Sequence, residues 1–161
     1  MPKPKAYSKT SKKLSEKQKF LSELILMDDI FIRIVLKDVK CTEYILQTIL
    51  QKPDLKVKTQ SIQSDLKNLQ GRSLILDCLC SDTNGTVYNI EVQNDSHGAS
   101  PKRARYHSGL IDMHILKKGK TFETLPESYV IFICAKDILK ENKQIYHISR
   151  IIQESGKKFP D

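Results

Sequence analysis

The stretch LILDCLCSDTNGTVYNIEVQND, residues 74–95, constrains the fold more than any other part of this sequence. Two apolar runs flank the turn sequence at 82–85, which is the pattern of a β-hairpin. Asp77 interrupts the first run, and Glu91 and Gln93 close the second. Because an unpaired charge is costly inside a sheet, these carboxylates need a partner.

The length of the turn decides whether Asp77 and Glu91 meet. A two-residue loop would set Asp77 opposite Val92 and send the two carboxylates to opposite faces of the sheet. A three-residue loop over 83–85, with Gly85 in the left-handed conformation, sets Asp77 directly opposite Glu91.

Opposed like charges destabilise a sheet, and a divalent cation between them turns the repulsion into coordination. Carboxylate oxygens suit Mg²⁺ or Mn²⁺. The hypothesis is therefore a metal held by Asp77 and Glu91. The alternative is that the carboxylates face solvent or pair with the nearby bases Lys102, Arg103 and Arg105.

Helical and strand patterns surround the hairpin. Spacings of three and four residues predict two helices between Leu14 and Asp38, the second capped by an aspartate, and a helix over 41–51 with Thr42 as its N-cap. Ser100 and Pro101 open another helix, which ends at Gly119.

Residues 55–63, 127–134 and 145–152 show strand patterns. The run at 127–134 is nearly continuous and apolar, which is typical of a strand buried on both faces. The whole order predicts an α/β fold with one mixed sheet flanked by helices. We expect one domain over residues 20–161.

The charge of +8 is concentrated at the N-terminus. Residues 1–19 hold seven lysines against one acidic residue, Glu16, which predicts a disordered basic arm suited to phosphate contacts or to solubility. The chain shows neither a transmembrane run nor a secretory signal, and its four cysteines lack metal-ligand spacing. We therefore expect a cytoplasmic protein with no membrane partner and no structural zinc.

The strand ending in Leu76–Asp77, the DTNG turn, the NIEVQ strand end and the helix KRARYHSGLID together resemble the PD-(D/E)xK nuclease superfamily. More narrowly, they are similar to the recombination-promoting nuclease and transposase family, whose signature ends in E-x-Q. The flanks LMDDIF, KPDLKVK, NLQGRS, LPESYVIFI and IYHISR extend this resemblance over nearly the whole chain from Leu24. It implies a restriction-endonuclease-like core of αβββαβ order. Because members of the family generally continue beyond the point that corresponds to Pro160–Asp161, the expectation is either a missing C-terminal portion or a shortened relic.

The resemblance implies a metal-dependent DNA endonuclease that hydrolyses phosphodiester bonds with Mg²⁺ or Mn²⁺. Asp77, Glu91 and the Val92 carbonyl would hold the metal, Asp29 could add an acidic ligand, and Gln93 would orient water in place of the superfamily lysine. A neutral amide can orient water but supplies no positive charge, so this departure from the superfamily lysine puts the rate, and even activity, in question, although the glutamine is usual within the narrower family.

Contacts with DNA are expected from cations and one aromatic residue: Lys12, Lys13, Lys102, Arg103, Arg105 and Tyr106. His97 and His107 are candidates for proton transfer. The alternative function is a catalytically inactive nuclease-fold module that binds DNA or protein. The sequence leaves a homodimer open.

Overall fold

The computed structural model describes residues 18–19, 22, 27–94 and 99–160. In chain order the elements are α1 (Asp29–Val35), α2 (Val39–Leu50), β1 (Val57–Leu66), β2 (Leu74–Asp82), β3 (Val87–Gln93), α3 (Pro101–Ile115), a 3-10 turn (Phe122–Thr124) and β4 (Ser128–Cys134). This order confirms the predicted αβββαβ arrangement. Within the described residues, no helix has the length and apolar character needed to cross a membrane.

The strands form one mixed sheet in the order β1-β2-β3-β4. The first two pairs are antiparallel, and β3 and β4 are parallel, with α3 as the crossover between them. Ile32, Leu36 and Leu46 from the α1–α2 side pack on one face of the sheet. Leu110 and Ile111 of α3 belong to a second apolar cluster, with Leu76. The sheet therefore lies between two helical layers.

The turn between β2 and β3 has the three-residue form. Asp82 N donates to Thr86 O at 3.0 Å, and the Asp82 carboxylate accepts from the backbone of Asn84 at 2.9 Å and of Thr86 at 3.0 Å. Gly85 has φ +89°, which an L side chain adopts only with strain. The resulting register pairs Cys78 with Ile90, so Asp77 comes opposite Glu91, as the three-residue alternative predicts.

The helix starts follow the sequence signals only in part. Ser100 caps α3 and accepts from Arg103 N at 3.2 Å, as predicted, although α3 ends at Ile115 rather than at Gly119. The predicted cap of α2 is wrong. Asp38 is the N-cap and accepts from Lys40 N at 2.9 Å, whereas Thr42 is buried inside the helix and donates to Leu36 O.

Two strand predictions also need correction. Strand β4 is half-buried throughout rather than buried on both faces, because it lies at an edge of the sheet. The alternating segment 145–152 forms no strand and contributes only the isolated bridge between Ile151 and Lys158. Its isoleucines face solvent, with Ile148 78% exposed. The alternating pattern therefore does not correspond to a buried strand face. The first predicted helix lies mostly outside the described residues.

Candidate active site

Asp77 and Glu91 bind each other's strands through reciprocal hydrogen bonds. The described backbone register between β2 and β3 ends at Cys78 and Ile90, although β3 continues to Gln93. Beyond that point Asp77 N donates to Glu91 Oε1 at 3.2 Å, and Val92 N donates to Asp77 Oδ2 at 3.0 Å. The two carboxylates thus replace part of the backbone ladder and lie at one location.

Strand β1 is irregular beside this location. Gln63 has φ +54°, and neither it nor Asp77 takes part in the pairing of β1 with β2, although the register is the same on both sides, where Ile62 pairs with Cys78 and Ser64 with Leu76. Leu76 packs in the α3-side cluster and Cys78 in the other cluster. The sheet is therefore distorted where Asp77 projects, a feature common beside functional sites.

The Val92 carbonyl is directed towards the same place. Ala135 N donates to Gln93 O at 3.1 Å, so the Gln93 carbonyl faces β4. Backbone groups alternate along a strand, and the Val92 amide already faces Asp77 on β2. The Val92 carbonyl therefore points to the β2 side, towards the carboxylates.

Helix α3 places Arg103 over the end of β3. The guanidinium donates through one terminal nitrogen to Gln93 Oε1 at 3.2 Å and through the other to Glu91 Oε2 at 3.4 Å. Its Nε donates to His107 Nε2 at 3.2 Å, and its centre lies 5.7 Å from the Phe132 ring centroid. Residues four apart share one face of a helix, which explains why Arg103 and His107 arrive together.

Asn89 and His107 form a fully buried polar layer behind Glu91. Asn89 Nδ2 lies 3.2 Å from Glu91 Oε1 and 3.1 Å from His107 Nδ1, and Asn89 Oδ1 has no hydrogen-bond partner among the described residues. The His107 ring therefore faces a donor at each nitrogen, Asn89 on one side and Arg103 on the other. A neutral ring can accept from one of them, whereas an imidazolium can accept from neither.

The pKa values of the buried Glu91 and His107 are shifted in opposite directions. Burial raises the pKa of Glu91 to about 7, and the Asp77 charge adds to the rise against smaller opposing contributions from the Asp77 backbone and Arg103. Burial and then the Arg103 charge lower the pKa of His107 to about 4. Between these values both groups are neutral, so the 3.8 Å approach of His107 Nδ1 to Glu91 Oε1 is not an ion pair there.

The other predicted contact residues lie on a different face of α3. Lys102, Arg105 and Tyr106 are exposed and line a cavity of about 360 Å³ together with Asn68. The Tyr106 hydroxyl donates to Arg72 O and accepts from Asn68 Nδ2 at 3.1 Å, so it also fixes the loop before β2. Of the predicted cations that the structure describes, only Arg103 joins the carboxylates.

Several candidates lie outside what the structure describes. These are Lys12, Lys13, His97 and the side chain of Asp29. Asn89 and Phe132 lie at the site but were not predicted from the sequence. Asn89 could have been found from its position two residues before Glu91 on the same strand face, but Phe132 arrives through the parallel pairing of β4, which no local pattern encodes.

The donor set fits a hard divalent cation. Two carboxylates and one backbone carbonyl converge, and a cation would relieve the repulsion that helps to raise the pKa of Glu91. Among the described residues no group of three or more His, Cys, Asp or Glu side chains is arranged to hold a metal. The protein ligands there would thus be two carboxylates and a carbonyl, a set typical of Mg²⁺ with water and phosphate.

The mixed sheet, its αβββαβ order and an acidic pair on neighbouring central strands define a restriction-endonuclease-like fold. A family model described as PD-(D/E)XK nuclease family transposase matches residues 38–161, and the chain belongs to this family. Searches of curated proteins and of solved structures gave no significant match.

Proposed function

We propose that this protein is a metal-dependent DNA endonuclease. The observation that supports it most is the meeting of Asp77 and Glu91 through reciprocal hydrogen bonds beside Gln93, on the fold of a nuclease family. Burial and the Asp77 charge raise the pKa of Glu91, so this pair of opposed carboxylates is costly to maintain, and costly charges in a structure are typical of functional sites. In this proposal the acidic pair is kept for chemistry.

Asp77, Glu91 and the Val92 carbonyl would hold Mg²⁺ or Mn²⁺, and Asp29 is proposed as an additional ligand. When bound, the cation supplies a hydroxide-like nucleophile near neutral pH and neutralises charge on the phosphate. Glu91 has to be ionised to act as a ligand. Since its pKa is raised to about 7, its ionisation is only partial at neutral pH, and metal loading releases the remaining proton.

The reaction is hydrolysis of a phosphodiester. Water forms a new P–O bond, the bridging P–O bond breaks, and the departing oxygen is protonated, which leaves a phosphomonoester and a hydroxyl. Gln93 would orient the attacking water through its amide. His107 stays neutral at physiological pH, and it lies behind Glu91 rather than at the open side of the site, so we assign it no proton transfer.

DNA would pass across α3. Lys102, Arg105 and Tyr106 would meet backbone phosphates from the exposed face of the helix, and Lys12 and Lys13 would add contacts that do not depend on base sequence. We place the activity in the cytoplasm, and a homodimer remains a prediction.

The test is plasmid nicking by the full chain in Mg²⁺ and in Mn²⁺, with the variants Asp77→Asn and Glu91→Gln. These amides preserve the size of each side chain and an oxygen that can accept from the partner strand, but they remove the charge. We expect cleavage to fall at least about 100-fold in each, because a metal ligand is lost. Melting temperatures should stay near that of the unmodified protein.

Alanine is a poor substitute in this experiment. It would leave buried backbone N–H groups without acceptors, at about 1–3 kcal/mol each, so lost activity could reflect lost structure. Cleavage that persists in both amide variants would contradict the proposal. DNA binding without cleavage in any divalent metal would instead identify the inactive nuclease-fold module.

A further inference from the structure

We propose that Arg103 is a catalytic residue of this site: its guanidinium supplies, at the scissile phosphate, the positive charge that Gln93 does not carry. This inference rests on the nuclease function proposed above. It goes further by assigning the missing cation to a different element of the fold, the first turn of α3 rather than the end of β3.

The contacts of Arg103 support this assignment. Its two terminal nitrogens span Gln93 Oε1 at 3.2 Å and Glu91 Oε2 at 3.4 Å, so the charge lies beside both side chains of the E-x-Q sequence. The Arg103 side chain is 35% exposed while Glu91 is 1% exposed. The guanidinium therefore borders the open side of the site, where a phosphate oxygen would approach.

Uncharged groups fix the orientation of Arg103 together with the Glu91 carboxylate. Nε donates to His107 Nε2 at 3.2 Å, and the guanidinium lies near the Phe132 ring. The backbone N–H of Arg103 is held by the Ser100 cap. A charge held in place before the reaction needs no reorganisation as the transition state forms, which is the condition for large electrostatic stabilisation. His107 and Phe132 are thus positioning residues.

A purely structural role for Arg103, as the counter-ion of Glu91, makes a different prediction. A counter-ion would affect folding and metal loading, whereas a charge aimed at the transition state would affect kcat more than DNA affinity. The two roles can be separated by kinetics at saturating metal and by restoring the charge from another source.

The experiment compares Arg103→Ala with Arg105→Ala in the full chain, using Mn²⁺ and a supercoiled plasmid. We expect Arg103→Ala to lower kcat about 100- to 1,000-fold, the usual effect of losing one electrostatic group, with less than about a threefold change in KM. Arg105→Ala should instead raise KM. Arg103→Lys should lose part of the rate, because one ammonium cannot reach both Gln93 and Glu91.

Two restorations test the charge itself. Guanidinium chloride at non-denaturing concentration should raise the rate of Arg103→Ala at least about tenfold and leave Arg105→Ala unchanged, with urea as the control for denaturant effects. The double variant Gln93→Lys/Arg103→Ala should also exceed Arg103→Ala at least about tenfold, because the lysine carries the charge back to the end of β3.

The outcomes are distinct. Activity of Arg103→Ala within about threefold of the unmodified protein overturns this inference and leaves the nuclease proposal standing. A loss that neither guanidinium nor Gln93→Lys restores, or one that vanishes at saturating metal, shows a structural counter-ion and overturns it as well. Absence of cleavage by the unmodified protein in every metal overturns the nuclease proposal, and this inference with it.

Discussion

At the scale of single residues, folding moves a proton from His107 to its buried neighbour Glu91. In the unfolded chain the histidine, with an ordinary pKa of 6.5, holds a proton more firmly than the glutamate, with an ordinary pKa of 4.5. In the folded protein the order is reversed, with pKa values of about 4 for His107 and about 7 for Glu91. Asp77 and Arg103 face the pair and contribute to these shifts.

This reversal predicts how stability depends on pH. Glu91 binds its proton more tightly in the folded state, so its contribution is present below pH 4.5 and is lost as pH rises to about 7. His107 binds its proton less tightly in the folded state, so its contribution is present above pH 6.5 and is lost as pH falls to about 4. Between pH 4.5 and 6.5 the two slopes oppose each other, and we expect the pair to contribute almost no net slope.

Single variants should reveal each slope. In metal-free urea unfolding between pH 4.5 and 6.5, His107→Gln should make stability fall with rising pH, and Glu91→Gln should make it rise. Each slope relative to the unmodified protein should approach about 1.4 kcal/mol per pH unit at most. Slopes of the same sign in the two variants would contradict the reversed proton affinities.

At the scale of elements, what the sequence predicted depended on how local the signal was. The sequence predicted the hairpin but left a two-residue and a three-residue turn open, and the structure has the three-residue form, in which Asp82 and Gly85 act within the turn. The prediction of the α2 cap is wrong because Asp38 and Thr42 are both acceptable caps, and only the packing of the helix shows that Thr42 is buried. The contact between Arg103 and Gln93 depends on how α3 lies against β3, which residue spacing does not specify.

Two glycines test the turn and the helix separately. Gly85 and Gly109 both have open space where a Cβ would be added, but only Gly85 has positive φ. We expect Gly85→Ala to destabilise the protein by about 1–2 kcal/mol through backbone strain. Gly109→Ala should stabilise it by about 0.5–1 kcal/mol, because alanine loses less entropy in a helix. Urea unfolding measures both, and a neutral Gly85→Ala would show that the turn can change its form.

At the scale of the whole molecule, the distribution of charge separates binding from chemistry. Residues 2–13 contain five lysines and no acidic residue, and the exposed face of α3 adds Lys102 and Arg105. Each phosphate contact releases counterions and steepens the dependence of affinity on salt by about 0.9 in the log–log slope.

Removing the arm and removing the helix cations should therefore give different slopes. Deletion of residues 2–13 should reduce the slope of log affinity against log salt concentration by up to about 4 to 5. The double variant Lys102→Ala/Arg105→Ala should reduce the same slope by up to about 2. Fluorescence anisotropy over a salt series, without divalent metal, measures both. If the deletion leaves the slope unchanged, the arm makes no phosphate contacts and serves solubility.

The reciprocal bonds of Asp77 and Glu91 bear on how such a gene would decay. Each carboxylate holds a backbone N–H of the neighbouring strand, so losing either one harms the architecture as well as any chemistry. A lineage that no longer cut DNA would still be selected to keep a hydrogen-bond acceptor at positions 77 and 91, which an amide also supplies, while the guanidinium at position 103 could drift more freely. Under the proposed function, the two acids together with the arginine therefore mark a working enzyme among descendants of this fold.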